Sequence, residues 1–142
     1  MNPSPVAESA APEAGPLLLY VEDELLVREL GVAALTEAGF QVLALQSASE
    51  AMAALDERAG DFKAVITDID LFSKTSGWDV ARHARELAPG IPVIYVTGGS
   101  EFEWSAMGVP GSAILPKPYA AAQLVVAVAT AMQTDPGAGS KP

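Results

Sequence analysis

Apolar and polar positions fall into two alternating kinds of segment along the chain. Short, mostly apolar runs occupy 17–22, 40–45, 63–68, 92–97 and 112–115, the length of buried strands. Each is followed by a stretch with helical spacing or helical boundary signals. In 24–38, Leu26, Leu30, Ala34 and Ala38 recur on one stripe. The stretch 47–59 opens on Ser47 with Glu50 three residues later, the spacing of a capping box. The stretch 77–88 stops before Pro89-Gly90, 101–107 is short, and 120–133 closes the pattern.

Strand then helix, repeated in this way, predicts an α/β fold with a parallel sheet covered by helices on both faces. Right-handed crossovers restrict the topology, and the expected five-stranded order is 2-1-3-4-5, the doubly wound, flavodoxin-like one. Pro116 at the end of the fifth run fits that order. Proline has no N–H to give to a ladder and is tolerated on an edge strand.

A length of 142 residues, half of them apolar and 18% charged, suits one globular domain with tails. Residues 1–15, rich in Pro, Ala, Ser and Glu, read as a disordered leader. Residues 16–133 form the domain, and 134–142 (TDPGAGSKP) read as a disordered tail. A net charge of −10 argues against nucleic acid or an anionic membrane as the main partner. The absence of cysteine excludes disulfides, thiolate metal sites and cysteine nucleophiles, and fits the cytoplasm. No signal peptide is visible, and no apolar run approaches the roughly 20 residues of a membrane span.

In open α/β sheets, ligands gather beyond the carboxyl ends of the strands. The first strand ends in Glu22-Asp23, the third in Asp68 with Asp70 two residues on, the fourth in Thr97-Gly98-Gly99, and the fifth is followed by Lys117-Pro118. The first and third strands are expected neighbours, so three carboxylates converge on one rim. Such a cluster is costly unless protonated or neutralised. Hard oxygen ligands with room for water suit Mg²⁺, and a cation beside an aspartate is a setting for phosphoryl transfer. Thr97 can give a hydroxyl hydrogen bond to a phosphoryl oxygen, Lys117 a cationic contact, and Gly98 room for the backbone to approach.

YVEDE (20–24), VITDIDL (65–71), VIYVTGG (93–99) and LPKPY (115–119) resemble the four signatures of bacterial two-component response-regulator receiver domains of the single-domain, chemotaxis-regulator-like kind. The resemblance covers about 16–132. Each motif alone is weak, but the four stand in order at strand ends. It implies that Asp68 is the phosphoacceptor and that Glu22 and Asp23 position the metal. Asp70 would add its backbone carbonyl, Thr97 would be the switch hydroxyl, and Lys117 would pair with Asp68 and then with the phosphoryl oxygen. It also implies a cis Lys117–Pro118 peptide.

The chain departs from the family in three places. The usual Met-Pro after the phosphoacceptor is replaced within 71–76, with Gly77 one residue late. Ile114 stands where Tyr or Phe is usual. The segment between Thr97 and Lys117 is short, so the fourth helix is expected to be stunted or irregular.

Taken singly, several of these residues have plainer readings. Asp23 is a good helix N-cap and Glu24 suits a first turn. Asp70 is a loop acid. His83 reads as surface on the wet face of the third helix, Trp78 as packing at that helix's start, and Trp104 as core. The last helix has no charged residue. It is either an alanine-rich surface or a docking face for a partner or a homodimer.

The expected function is a signalling switch and not a turnover enzyme, since it catalyses only its own modification. It would take a phosphoryl group from a histidine kinase or histidine phosphotransfer protein. No output domain is expected after 133, so its output would be contact with a downstream protein or onward phosphotransfer. Two other readings stay open: a degenerate receiver that binds without phosphate, favoured by Ile114 and the altered loop, and a phosphatase using the D-x-D spacing of Asp68-Ile69-Asp70. Phosphatases of that type usually carry the motif on their first strand.

Overall fold

Five strands form one parallel sheet in the order β2-β1-β3-β4-β5. The computed structural model describes residues 15–71 and 74–133; the expected leader before Gly15, the tail 134–142 and residues 72 and 73 lie outside them. The elements are β1 (Leu17–Val21), α1 (Leu25–Glu37), β2 (Gln41–Leu45), α2 (Ala48–Arg58), β3 (Ala64–Asp68), α3 (Gly77–Leu87), β4 (Val93–Thr97), α4 (Trp104–Met107), β5 (Ala113–Pro116) and α5 (Ala121–Gln133). Short 3-10 turns precede β3 (Ala59–Asp61) and α4 (Glu101–Glu103).

Burial explains the strand compositions. β3 (AVITD) and β4 (VIYVT) are buried at every position, as interior strands covered on both faces require. β5 lies at the edge, and Pro116, its last residue, is exposed. Alternate residues feed two cores. Leu19, Val21, Val65, Tyr95 and Trp78 pack toward α2 and α3, whereas Leu18, Tyr20, Ile66, Leu124 and Val128 pack toward α1 and α5.

The leucines of the α1 stripe face away from the sheet. Leu26 and Leu30 are 68% and 62% exposed, and the buried line of α1 is Gly31 and Leu35. Spacing marks a face but not its direction. Here the Tyr20 ring lies beneath α1, and a Cβ at Gly31 would overlap the Tyr20 hydroxyl. The glycine must therefore face the sheet, which turns the leucines outward.

His83 is also not a plain surface residue: it is half-buried, with Nε2 2.6 Å from Asp56 Oδ1 of α2. At α2, Ser47 Oγ accepts from Glu50 N at 3.2 Å, while Glu50 Oε1 accepts from Gln46 N at 3.2 Å. In α5, Leu124 and Val128 are buried, Val125 and Met132 are half-buried, and Val126 is 61% exposed.

The α4 segment is short and held by side chains. Tyr95, whose ring packs against that of Trp78 at 4.8 Å and a tilt of 58°, accepts at its hydroxyl from Val109 N at 3.1 Å. Half-buried Trp104 donates from Nε1 to Ser112 Oγ at 2.9 Å, and Ser112 Oγ donates to Val109 O at 2.7 Å. Arg85 donates to Pro110 O at 2.7 Å. Ile114 is half-buried in β5, in register with Tyr95. Among the described residues, no helix is long and apolar enough to cross a membrane.

Candidate functional site

The register aligns the carboxyl ends of the inner strands. Val21 pairs with Thr67 and Leu45, Asp68 with Val96, and Thr97 with Pro116. The residues at and just beyond these ends therefore emerge on one rim. Glu22 continues the β1 ladder, donating from N to Leu45 O at 3.0 Å, and its side chain turns inward to 1% exposure. The α1 N-cap is Glu24, which makes no side-chain cap bond, so Asp23 is not the cap. Instead, Glu22 Oε2 accepts from Glu24 N at 3.1 Å, and Arg28 donates to Glu22 O at 2.7 Å.

Asp68, the last residue of β3, is 5% exposed. Its Oδ1 accepts from Asp70 N at 3.2 Å, and its carbonyl accepts from Thr67 Oγ1 at 2.9 Å. Lys117 crosses from the end of β5. Its Nζ donates to Asp68 Oδ2 at 3.0 Å and lies 3.3 Å from Glu22 Oε1. Its own N–H donates to Thr97 O at 2.7 Å, and the Lys117–Pro118 peptide is cis. Glu22, Asp23 and Asp68 each offer an oxygen within 4.8 Å of the others.

Thr97 is fully buried and serves the turn after β4, with Oγ1 accepting from Gly99 N at 3.1 Å and Ser100 N at 2.7 Å. Gly98 is exposed, and a Cβ there would meet nothing within 4 Å, so the open ground beside it does not depend on glycine. The carboxylate of exposed Asp70 faces Ser100 rather than the cluster.

The charges are unevenly matched, one lysine facing three acids. Burial raises the Glu22 carboxyl from 4.5 to about 7; Asp68 adds to the rise, while Glu24 N–H and Lys117 oppose it. Burial also raises Asp68, against the pull of its Lys117 hydrogen bond. Burial lowers Lys117, but Asp68 and Glu22 more than reverse this and hold it charged. A rim of converging hard oxygens short of positive charge fits a divalent cation that takes oxygen ligands and keeps waters.

Two contributors escape a reading of the chain alone. At Gly77, the start of α3, a Cβ would overlap the Asp68 carbonyl, and Gly77 N donates to Ile69 O at 3.0 Å. Its signal was a glycine opening a helix after a polar loop. Ser100, which links Thr97 to Asp70, gave no signal at all.

The family model described as response regulator receiver domain matches residues 18–129. Sensor kinase CckA of Brucella abortus (strain 2308) is 34% identical over 114 residues, 78% of this chain and 12% of its own length. Transcriptional regulatory protein CusR of Escherichia coli (strain K12) is 34% identical over 119 residues, 82% of this chain and 51% of its own. The chain thus spans about half the length of these curated relatives, or less. A response regulator receiver protein from Sinorhizobium medicae WSM419 superposes with a TM-score of 0.82 at 37% identity, covering 86% of this chain and 98% of that one.

Proposed function

The chain belongs to the response regulator receiver domains, and from that premise we propose that it is a phosphoryl-accepting switch whose acceptor is Asp68. The observation that carries the reading is Lys117 Nζ at 3.0 Å from Asp68 Oδ2 inside a cluster of three convergent acids. The donor is a phosphohistidine of a histidine kinase or phosphotransfer protein. An Asp68 carboxylate oxygen attacks phosphorus, the phosphorus–nitrogen bond breaks, and its electron pair leaves on the imidazole. Lys117 moves with the charge from the carboxylate to a phosphoryl oxygen. Thr97 gives its hydroxyl hydrogen to another, since the contacts from Gly99 and Ser100 use only its acceptor side.

Glu22, Asp23 and Asp68 would hold Mg²⁺ through their carboxylates, with the Asp70 carbonyl beside them. When bound, the ion offsets negative charge on the phosphoryl oxygens. Output runs through contact with a downstream protein or through onward phosphotransfer. The charge of −10 keeps nucleic acid out of that role for these residues.

A module that had lost the chemistry would have no reason to keep Glu22 and Asp68 buried together, against their own repulsion. A D-x-D phosphatase needs the second aspartate at the reacting group, and Asp70 turns to Ser100 instead. The test is labelling with acetyl phosphate and Mg²⁺. The chain gains one phosphoryl group and Asp68→Asn gains none; undiminished labelling of that variant refutes the assignment.

A further inference from the structure

The Ser100 hydroxyl reaches across the mouth of the site to Asp70, donating to its carboxylate oxygens at 3.3 and 3.4 Å. Ser100 is itself set by the switch threonine, whose Oγ1 accepts from Ser100 N at 2.7 Å. Asp70 is exposed and tied to the acceptor through its N–H, 3.2 Å from Asp68 Oδ1. Because its backbone touches the acceptor, the Asp70 carboxylate would be a hazard to the reaction if it swung away from Ser100 toward Asp68. The incoming group carries nearly two negative charges, and like charges at short range repel.

We infer that Ser100 is a positioning residue, which holds the Asp70 carboxylate off the approach to Asp68. This rests on the reading of Asp68 as phosphoacceptor. Thr97 sets where Ser100 stands, because its Oγ1 accepts from Ser100 N at 2.7 Å while its hydroxyl hydrogen stays free for a phosphoryl oxygen. The arrangement thus links the switch hydroxyl to the charge at the mouth.

The measurement is the rate of labelling by acetyl phosphate at saturating Mg²⁺. Ser100→Ala frees the carboxylate and labels about three- to fivefold more slowly at low ionic strength, and the deficit fades as salt screens the exposed charge. Ser100→Thr, which keeps a hydroxyl, restores the rate. In an Asp70→Asn background, whatever its own rate, Ser100→Ala brings no further slowing.

A Ser100→Ala chain that labels at the wild-type rate overturns the inference. So does a deficit that persists in the Asp70→Asn background or ignores salt, because Ser100 would then act through the fold and not through Asp70's charge. Failure of the underlying reading looks different: the wild-type chain takes no label, or Asp68→Asn labels as well as it does.

Discussion

Raising the pH in the presence of a chelator charges Glu22 inside the fold, with no cation to meet it. The folded chain holds this proton up to about pH 7, whereas an ordinary glutamate releases it near 4.5. The group's folded value is raised, so its stabilising contribution is complete below 4.5 and is lost as pH climbs through about 7. A rise from 4.5 to about 7 corresponds to roughly 3 kcal/mol, a large share of the ~5–15 kcal/mol of a typical domain. Glu22 is 1% exposed, so solvent does little to relieve it. Burial raises Asp68 as well, so its contribution has the same sign and is likewise lost as pH rises.

Urea unfolding followed by tryptophan fluorescence, at about pH 5 and about pH 8 with chelator, reads this directly. The expected result is lower stability at the higher pH. Glu22→Gln should remove most of the slope and be the more stable chain at about pH 8. Adding Mg²⁺ at that pH should recover about 2.7 kcal/mol at a hundredfold excess over its dissociation constant. A wild-type chain whose stability stays flat or rises over this window, with Glu22→Gln indistinguishable from it, would refute the reasoning.

Three further perturbations test separate parts of the structure. Lys117→Ala strips the cation from Asp68 and Glu22; it should cost about 3 kcal/mol at pH 8 by urea unfolding, less at pH 5, and slow acetyl phosphate labelling about a hundredfold. Gly77→Ala forces a methyl group against the Asp68 carbonyl, so thermal unfolding should show a loss of about 1–3 kcal/mol and labelling should fall with it. Tyr95→Phe removes the acceptor for the buried Val109 N–H; it should cost about 1–2 kcal/mol and speed amide hydrogen exchange at Val109.

The legible parts of this molecule are those set by period and by strand ends. Runs such as VITD and VIYVT read as interior strands because burial on both faces demands continuous apolar residues. The last residue of a parallel strand then has one rim to emerge on, which made Glu22, Asp68, Thr97 and Lys117 readable as a set. Direction around a helix was not readable in the same way. Leu26 and Leu30 have helical spacing, yet they face outward because the Tyr20 ring admits only Gly31 beneath α1. Contacts between distant loops and helices left no trace either. His83 meets Asp56 and Ser100 meets Asp70 through packing of separate elements, and no local pattern encodes such a meeting.

Strand order also explains why the cation of this site is a lysine arriving from the edge. Neighbouring strands lie about 4.8 Å apart, so the end of β5 stands roughly 10 Å from the end of β3, with Thr97 of β4 between them. A short basic side chain at 117 would stop over Thr97. The long, unbranched stem of Lys117 carries its ammonium past the threonine to Asp68 and Glu22, while its main chain stays fixed to Thr97 O. An ammonium is also a compact charge with three rotatable donors, so one side chain serves Asp68 and Glu22 together, whereas a planar guanidinium favours a single bidentate partner. Across the rim the order is acid, acid, hydroxyl, ammonium, and each step in that order follows from the sheet being β2-β1-β3-β4-β5.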